Sequence, residues 1–277
     1  MKKIAALVSF CLLLSTGCYQ KQTVDDVVMK MNEAAGGADK LAAITDRVET
    51  WDFTMMQPPP GDNGEGEMPP DYEGGPMTMP MTITAKKPNK LRFDLQGPDG
   101  SIQMSSCYDG EKGWKMEMGE HKEMTGAELQ ETQTMAATWI DGFTNYKDKG
   151  LTLALLPNET LDAKEYLILQ STDAYGNVQK YYIDPATHYI MRQAGEMVNM
   201  MGEKEMMHMT FSDYKMFDDV AIPNIVAQHG ANGEKMWEAT FKEAKHNTGV
   251  EDDAFMATAM SMKQFDSDFI NVGDSGL

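Results

Sequence analysis

The chain has 277 residues and a formal net charge of −19, with 43 acidic and 24 basic side chains. This excess of acid argues against binding to nucleic acid and to anionic lipid headgroups, because both need clusters of lysine and arginine. The composition is unusual in its 26 methionines, whereas it includes only 3 cysteines. The length suits one large β-rich domain or two small ones.

The N-terminal segment, residues 1–17, has the three parts of a secretory signal peptide. Two lysines precede an apolar run from Ile4 to Leu14, and small residues come just before Cys18. The run is too short to cross about 30 Å of hydrocarbon as a helix. The order Leu-Ser-Thr-Gly-Cys resembles a bacterial lipobox, which implies diacylation of the Cys18 thiol and cleavage before it. Residues 18–23 would then be a lipidated tether; the alternative is an ordinary signal peptide with a chance cysteine.

Three helices are predicted, and all of them are short. The first covers residues 24–35, where apolar side chains recur at i, i+3, i+4 and i+7 after a capping Thr23. The second covers residues 38–44. The third covers about residues 126–140, and its apolar stripe consists of Leu129, Met135, Ala136, Trp139 and Ile140.

Elsewhere the apolar period is two, which is typical of antiparallel strands with one apolar and one polar face. About 10–11 strands are predicted, joined by turn sequences such as Lys87-Pro88-Asn89 and Asp109-Gly110. They cover residues 50–55, 78–85, 90–96, 114–118, 150–156, 164–172, 177–184, 187–195, 204–214, 219–228 and 234–243.

Two segments do not follow either period. Residues 57–78 are rich in proline, glycine and methionine, and we expect them to form a mobile surface loop. Because strands resume on both sides with the same pattern, this loop lies within one domain that covers residues 24–260. Residues 261–277 are predicted to be an acidic C-terminal tail.

A sheet of this size with one apolar face must curl, and the apolar face must be covered. Three short helices are too narrow to cover it completely. The predicted fold class is therefore mainly β (α+β): a half-open antiparallel β-barrel with a small α-helical lid over an apolar hollow.

Seven short motifs follow one another through nearly the whole predicted domain: Gly36–Leu41, Lys87–Arg92, Tyr108–Trp114, Tyr182–Thr187, Phe211–Tyr214, Val220–Pro223 and Asp252–Phe255. In this order they resemble the LolA/LolB-like family of outer-membrane lipoprotein-sorting proteins. The resemblance implies an unclosed β-barrel with a helical lid, and a hollow that takes acyl chains. A lipid anchor is more typical of the acceptor member than of the soluble carrier, which implies attachment to the periplasmic face of the outer membrane.

The candidate ligand-binding residues are the inward-phase side chains of the early strands and one tryptophan of the third helix. Methionine is flexible and polarizable, which suits a surface that adapts to disordered acyl chains. The alternative is that these methionines only fill the core. The predicted lining consists of Trp51, Phe53, Met55, Met81, Ile83, Leu91, Phe93, Met104, Trp114, Met116 and Trp139.

Two other functions stay open. One is a periplasmic Cu(I)-binding protein that uses the thioethers and imidazole of Met206, Met207, His208 and Met209, since soft ligands select Cu(I). Strand alternation puts Met207 and Met209 on one face and the other two on the opposite face. The second is a structural lipoprotein whose core is filled by its own side chains.

No catalytic motif is recognisable. The five histidines lie outside any H-E-x-x-H or C-x-x-C context, and the chain contains neither a G-x-S-x-G elbow nor a Walker-type loop. We therefore expect a non-enzyme without a cofactor. The sequence favours an exported, lipid-anchored protein that binds lipid or lipoprotein acyl chains in an apolar half-barrel, with a role in lipoprotein sorting that only the resemblance implies.

Overall fold

The computed structural model describes residues 22–56, 75–97, 99–117, 120–199 and 203–257. The following predicted features lie outside the described residues: the signal segment 1–17, the lipidation site Cys18, most of the loop 57–78, and the tail 261–277.

In the described part, 13 strands form one sheet, and three α-helices and a 3-10 helix accompany it. None of these helices is both long and apolar enough to span a bilayer. The helices are α1 (Val24–Ala34), α2 (Ala38–Ala43), α3 (Gly126–Thr138) and the 3-10 helix Asp252–Phe255. The strands are β1 (Asp46–Met55), β2 (Met77–Lys86), β3 (Lys90–Gln96), β4 (Ile102–Tyr108), β5 (Gly113–Glu117), β6 (Glu120–Glu123), β7 (Thr152–Leu161), β8 (Lys164–Thr172), β9 (Val178–Ile183), β10 (Ile190–Val198), β11 (Lys204–Phe217), β12 (Val220–His229) and β13 (Lys235–His246).

The sheet consists of two antiparallel meanders, β1–β6 and β7–β13, which are joined where β1 pairs with β13. Its order is β6-β5-β4-β3-β2-β1-β13-β12-β11-β10-β9-β8-β7. Among the described strands, β6 and β7 are the two edges and do not pair with each other, so the sheet is not closed. This confirms the predicted class: mainly β, with a half-open barrel and a small helical part.

The sheet is strongly curled around α3. This helix contacts β3 and β4 on one side and β10 on the other. Between β3 and β10 lie six strand spacings, which would measure about 29 Å in a flat sheet. A helix is only about 10–12 Å wide with its side chains. Since α3 touches both strands, the sheet must bend around it and α3 must lie across the opening.

The second half of the sheet is covered by α1, which begins with the predicted cap. Thr23 and Asp26 form a capping box, in which the Thr23 Oγ1 accepts from the Asp26 N–H at 3.1 Å. Val27 and Val28 are buried with Leu153, Leu169 and other apolar side chains of β7–β9.

The end of α1 docks against the β11–β12 hairpin. Gly36 has a φ of +122°, and a Cβ there would lie 2.3 Å from the carbonyl oxygen of Asp219. Only glycine permits both this backbone angle and this approach. The Ala221 N–H donates to the Ala35 carbonyl at 3.0 Å, which fixes the hairpin beside the helix.

Two strands, β4 and β6, are absent from the predicted set, which explains why 13 strands are found where 10–11 were expected. The sequence of β4 has two adjacent serines, Ser105 and Ser106, which interrupt the alternation of apolar and polar side chains. The four residues of β6 are all exposed and polar, so this edge strand has no apolar pattern and is fixed by its pairing with β5.

The outer face of β3–β5 is buried, although the alternation of the sequence predicted a polar face exposed to solvent. Arg92 and Asp94 form an ion pair of 2.7 Å there, with side chains 5% and 1% exposed. The segment after β13 crosses this face: Arg92 Nη1 donates to the Ala254 carbonyl at 2.9 Å, and Phe255 is fully buried. Burial raises the pKa of the nearby Cys107 thiol to about 12, which makes it unreactive.

Asp46 fastens this C-terminal segment to β1. Its Oδ1 accepts from the N–H and the hydroxyl of Thr248 at 2.7 and 2.8 Å, and its Oδ2 accepts from the Gly249 N–H at 3.2 Å. Burial by itself would raise the pKa of Asp46, but these hydrogen bonds outweigh it, and the pKa is lowered. The ionised carboxylate therefore stabilises the folded state.

We expect Asp46→Ala to lower the free energy of unfolding by about 2–3 kcal/mol at neutral pH, because hydrogen bonds to a charged group are lost. A carboxylate whose pKa is lowered on folding contributes stability above its unfolded pKa, and this contribution is lost as the pH falls through the folded pKa. Urea unfolding at pH 7 and in acid below about pH 4 measures both effects. An equal difference between wild type and variant at the two pH values would contradict this account.

Candidate functional site

A cavity of about 430 Å³ lies between α3 and the inner face of the sheet. This volume is within the range of about 300–1,000 Å³ that is usual for small-molecule sites. Its roof is formed by α3 and the turn that follows it, residues 139–143. Its floor is formed mainly by β9–β12 and by Trp51 of β1.

The floor is mostly apolar because antiparallel register aligns inward side chains of neighbouring strands. Phe211 of β11 lies opposite Val226 of β12, and Met209 is two residues from Phe211 on the same face. Ile190 and Ile222 extend this surface. The roof adds the side chains of Met135, Trp139, Ile140 and Phe143.

The roof is fastened to both sides of the opening by hydrogen bonds. Gln133 Nε2 donates to the Tyr108 hydroxyl of β4 at 3.2 Å, and its Oε1 accepts from the Tyr175 hydroxyl in the β8–β9 turn. One residue later, the Thr134 hydroxyl donates to Asp173 Oδ2 at 3.1 Å. The helix therefore bridges the opening and has contacts that must break if it lifts.

A buried ion pair holds the C-terminal end of α3. Arg47 Nη2 donates to the Trp139 carbonyl at 2.7 Å, which satisfies one of the unpaired carbonyls at the helix end. Its Nε lies 2.6 Å from Glu49 Oε1, and the other oxygen of Glu49 accepts from the Trp51 indole at 3.0 Å. All of these side chains line one end of the cavity.

The opposite end of the cavity is polar. Glu131 of α3 accepts a hydrogen bond from the Val198 N–H at 2.9 Å, and burial raises the pKa of its carboxyl group. Gln179, Asp173 and Lys204 lie around it on the cavity wall. The cavity is therefore polar at Glu131, whereas the end at Trp139 is apolar apart from the paired side chains of Arg47 and Glu49.

Besides Arg47 Nε, which is ion-paired with Glu49, two polar atoms of the wall are shielded from solvent and have no hydrogen-bond partner among the described residues. They are Gln179 Oε1, an acceptor at the polar end, and Trp139 Nε1, a donor at the apolar end. A buried polar group without a partner is costly, so these atoms indicate where a ligand would form hydrogen bonds.

Of the predicted lining residues, Trp51 and Trp139 lie on the wall of this cavity. Six others are on the inner face of the sheet and belong to the hydrophobic core instead of lining the cavity. This group consists of Phe53, Met55, Ile83 and Leu91, which are buried, and Met81 and Phe93, which pack against them. Met104 lies on the same inner face, opposite Leu95.

Trp114 and Met116 are on the outer face, contrary to the prediction. In register, Phe93 pairs with Ser106 and Ser106 pairs with Lys115, so Lys115 is the inward residue of β5. Its ammonium lies 2.9 Å from Glu128 of α3. Trp114 and Met116 pack with Cys107 and Ile102 on the other side. The prediction failed because both faces are buried here, and alternation shows which side chains share a face but not which face is concave.

The methionine–histidine segment has the predicted alternation. Met207 and Met209 face inward, and only Met209 lines the cavity. Met206 and His208 face outward, where the His208 ring stacks on His229 at 4.6 Å. Burial, with Arg192 and His229 nearby, lowers the pKa of His208 to about 4. Within the described ranges, no three His, Cys, Asp or Glu side chains gather in a way that could hold a metal ion, and Cu(I) binding stays a prediction.

The residues that sequence reasoning missed come from the second meander. Phe211, Val226 and Ile190 belong to strands that were predicted, but nothing in their pattern distinguishes a residue beside a void from one in the core. Gly195 gives the one usable signal: an isolated glycine inside a strand indicates that another group comes close. A Cβ at Gly195 would lie 2.3 Å from Gln179 Oε1.

A second depression, of about 860 Å³, lies on the surface between α1, α2 and residues 144–148. Its wall includes the charged side chains of Asp25, Glu33, Asp39 and Lys147. It is larger than the cavity beneath α3 but is more open and has these charged groups on its wall, so the cavity beneath α3 is the better candidate for a ligand site.

No protein-family model and no curated protein sequence matches the chain. Solved structures do share its fold. A LolA superfamily protein from Nitrosomonas europaea matches with a TM-score of 0.56 at 12% identity, over 86% of this chain and 99% of that one. A putative outer membrane lipoprotein-sorting protein domain from Vibrio parahaemolyticus matches with a TM-score of 0.52 at 14% identity, over 85% and 97%. A DUF1329 family protein from Desulfovibrio piger matches with a TM-score of 0.54 at 13% identity, over 85% and 97%. The LolA-like fold that the sequence motifs implied is thereby confirmed.

Proposed function

We propose that this chain binds lipid or lipoprotein acyl chains in the cavity beneath α3 and acts in the bacterial cell envelope. The observation on which the proposal rests is a mainly apolar cavity of about 430 Å³ under a helix that bridges a half-open barrel. Similarity of fold to a LolA superfamily protein and to a lipoprotein-sorting domain supports it.

Binding would be driven by burial of methylene groups. Each methylene that moves from water into the cavity contributes about 0.8 kcal/mol. The wall that receives the chain keeps Trp51 and Trp139 from the sequence prediction and adds Met209, Phe211 and Val226. Release would require α3 to lift, which breaks the hydrogen bonds of Gln133 and Thr134.

The finer form of the proposal is a lipid-anchored protein on the periplasmic face of the outer membrane that takes part in lipoprotein sorting. It rests on the lipobox-like sequence at Cys18 and on the printed description of the similar Vibrio domain. It needs no catalytic group, because transfer by burial makes and breaks no covalent bond.

A titration of the protein with a fluorescent acyl probe tests the central part of this proposal. Saturable binding with one probe per chain, competed by unlabelled fatty acid, is the expected result. Absence of competition would mean that the probe adsorbs to the surface, and it would count against the cavity.

Lipidation is tested separately through Cys18. The Cys18→Ala variant should lose incorporation of radiolabelled palmitate and leave the membrane fraction, because a thiol is needed for diacylation and two or more acyl chains make a stable anchor. Cys107→Ala is the matched control, since that thiol is buried. An unlabelled wild type would show that the N-terminal segment is an ordinary signal peptide, and labelling that persists in Cys18→Ala would exclude Cys18 as the acylation site.

A further inference from the structure

The polar end of the cavity has an acceptor without a donor. Gln179 Nε2 donates to the Glu196 carbonyl at 2.7 Å, which fixes the orientation of the carboxamide. Its Oε1 then lies over Gly195, is shielded from solvent and accepts no hydrogen bond from the described residues. A Cβ at residue 195 would lie 2.3 Å from Oε1, so the glycine makes room for this orientation of the carboxamide.

Beside this acceptor lies the Glu131 carboxylate, whose negative charge is only partly balanced by neighbouring groups. Glu131 receives one N–H, from Val198, and burial raises the pKa of its carboxyl group. Of the charged groups near it, Glu128 on its own helix raises this pKa further, and Lys204 of β11 lowers it. Lys204 is exposed at the rim, and its ammonium already donates to Asn177 Oδ1 at 2.5 Å. A second positive group inside the cavity would compensate Glu131 directly.

Two other acids are on this part of the wall: Glu196 is exposed and its side chain is on the outer face, opposite Met206, and Asp173 does not compete for a ligand. Its Oδ1 accepts from the N–H groups of Tyr175 and Asn177, both at 2.9 Å. Its Oδ2 accepts from the side chains of Thr134 and Asn177. With four donors it is satisfied by the turn that it organises. A ligand that suits the polar end therefore offers hydrogen-bond donors and a positive charge to Glu131 and Gln179.

The opposite end suits an alkyl chain. Trp139 follows Glu131 by eight residues along α3, which places the two about 12 Å apart at 1.5 Å per residue. Ile140 and Phe143 lie beside Trp139 on the wall. The charged side chains at this end, Arg47 and Glu49, are paired with each other, so they do not require a charged group from a ligand.

We propose that the cavity selects amphiphiles with a primary ammonium head group, whose N–H groups donate to Gln179 Oε1 and the Glu131 carboxylate while the alkyl chain extends toward Trp139. This inference rests on the proposed function, because it names the class of lipid that the same cavity takes.

Calorimetric titration with two probes of equal chain length tests the preference. The protein is the full chain with Cys18→Ser, so that no acyl group of its own competes, and the probes are dodecylamine and dodecanoate below their critical micelle concentrations. Wild type should bind dodecylamine at least about tenfold more tightly. Glu131→Gln and Gln179→Leu should each reduce this ratio severalfold. Glu165→Gln, the same change at an exposed position of β8 outside the cavity wall, should leave it unchanged.

A second pair of probes distinguishes the sources of the ammonium group. Lysophosphatidylethanolamine and lysophosphatidylglycerol of the same acyl chain differ in the amine. Preference for the ethanolamine lipid supports an aminophospholipid as the ligand, whereas preference for dodecylamine alone supports a simple amine. Equal binding of dodecylamine and dodecanoate would overturn the inference and leave the proposed function intact. Failure of all four probes to bind would instead contradict the proposed function itself.

Discussion

The Phe211→Asp variant is expected to bind a fluorescent acyl probe at least about tenfold more weakly than wild type. Phe211 lines the cavity from β11 and lies opposite Val226. A carboxylate at this place must either stay hydrated or be buried without a partner, and both remove apolar surface from the ligand. A loss of about 1.4 kcal/mol already corresponds to tenfold in affinity.

Ser212→Asp is the matched control for this variant. Ser212 is the next residue of β11 and pairs with Ile225, so it lies on the outer face of the same strand. The Ser212→Asp variant should bind the probe with wild-type affinity. This result would show that the effect of Phe211→Asp depends on where the charge is placed. Circular dichroism of both variants shows whether they are folded. A folded Phe211→Asp that binds with wild-type affinity would exclude the cavity as the binding site.

The Asp94→Ala variant is expected to lose about 3–5 kcal/mol of the free energy of unfolding. Asp94 is 1% exposed, pairs with Arg92 at 2.7 Å, and accepts a hydrogen bond from the Ser105 hydroxyl at 2.5 Å. Removing the carboxylate leaves the positive charge of Arg92 buried without its main counter-charge, which costs more than the loss of the attraction itself. Urea unfolding of the two proteins measures the difference.

An exposed ion pair provides the comparison. Lys215 and Asp213 lie 3.2 Å apart, with both side chains more than half exposed. Lys215→Ala should therefore change the free energy of unfolding by no more than about 0.5 kcal/mol. The double variant Arg92→Met, Asp94→Leu should recover much of the stability that Asp94→Ala loses, because no buried charge remains. A loss below about 1 kcal/mol in Asp94→Ala would mean that water reaches this pair.

The three helices and most strands could be predicted because their periods are set by local geometry. The stripe of α3 and the cap of α1 are examples, since each depends on residues only three or four apart. The strand β6 could not be predicted, because its four residues have no apolar member and the strand exists only through pairing with β5.

The positions of the predicted lining residues in the fold could be foreseen only in part, for a physical reason, and their role in binding stays a prediction. Alternation places Trp51, Phe53 and Met55 together on one face, and the structure agrees. It cannot show that Phe53 is packed in the core against Trp237 whereas a cavity lies beside Trp51. Alternation also cannot show that the outer face of β5 is buried. For this reason Trp114 and Met116 were predicted on the inner face, whereas they lie on the outer face. The first of these facts depends on elements more than 70 residues away in the chain.

Native mass spectrometry of the chain from Tyr19 onward, exported without its anchor and purified without detergent, tests the central claim most directly. The cavity of about 430 Å³ predicts one co-purifying lipid or acylated peptide per chain, identified after extraction. The Phe211→Asp variant should retain less of it than the Ser212→Asp variant. A protein that is empty after purification, stable, and unresponsive to added lipid would contradict the account and favour a core filled by its own side chains.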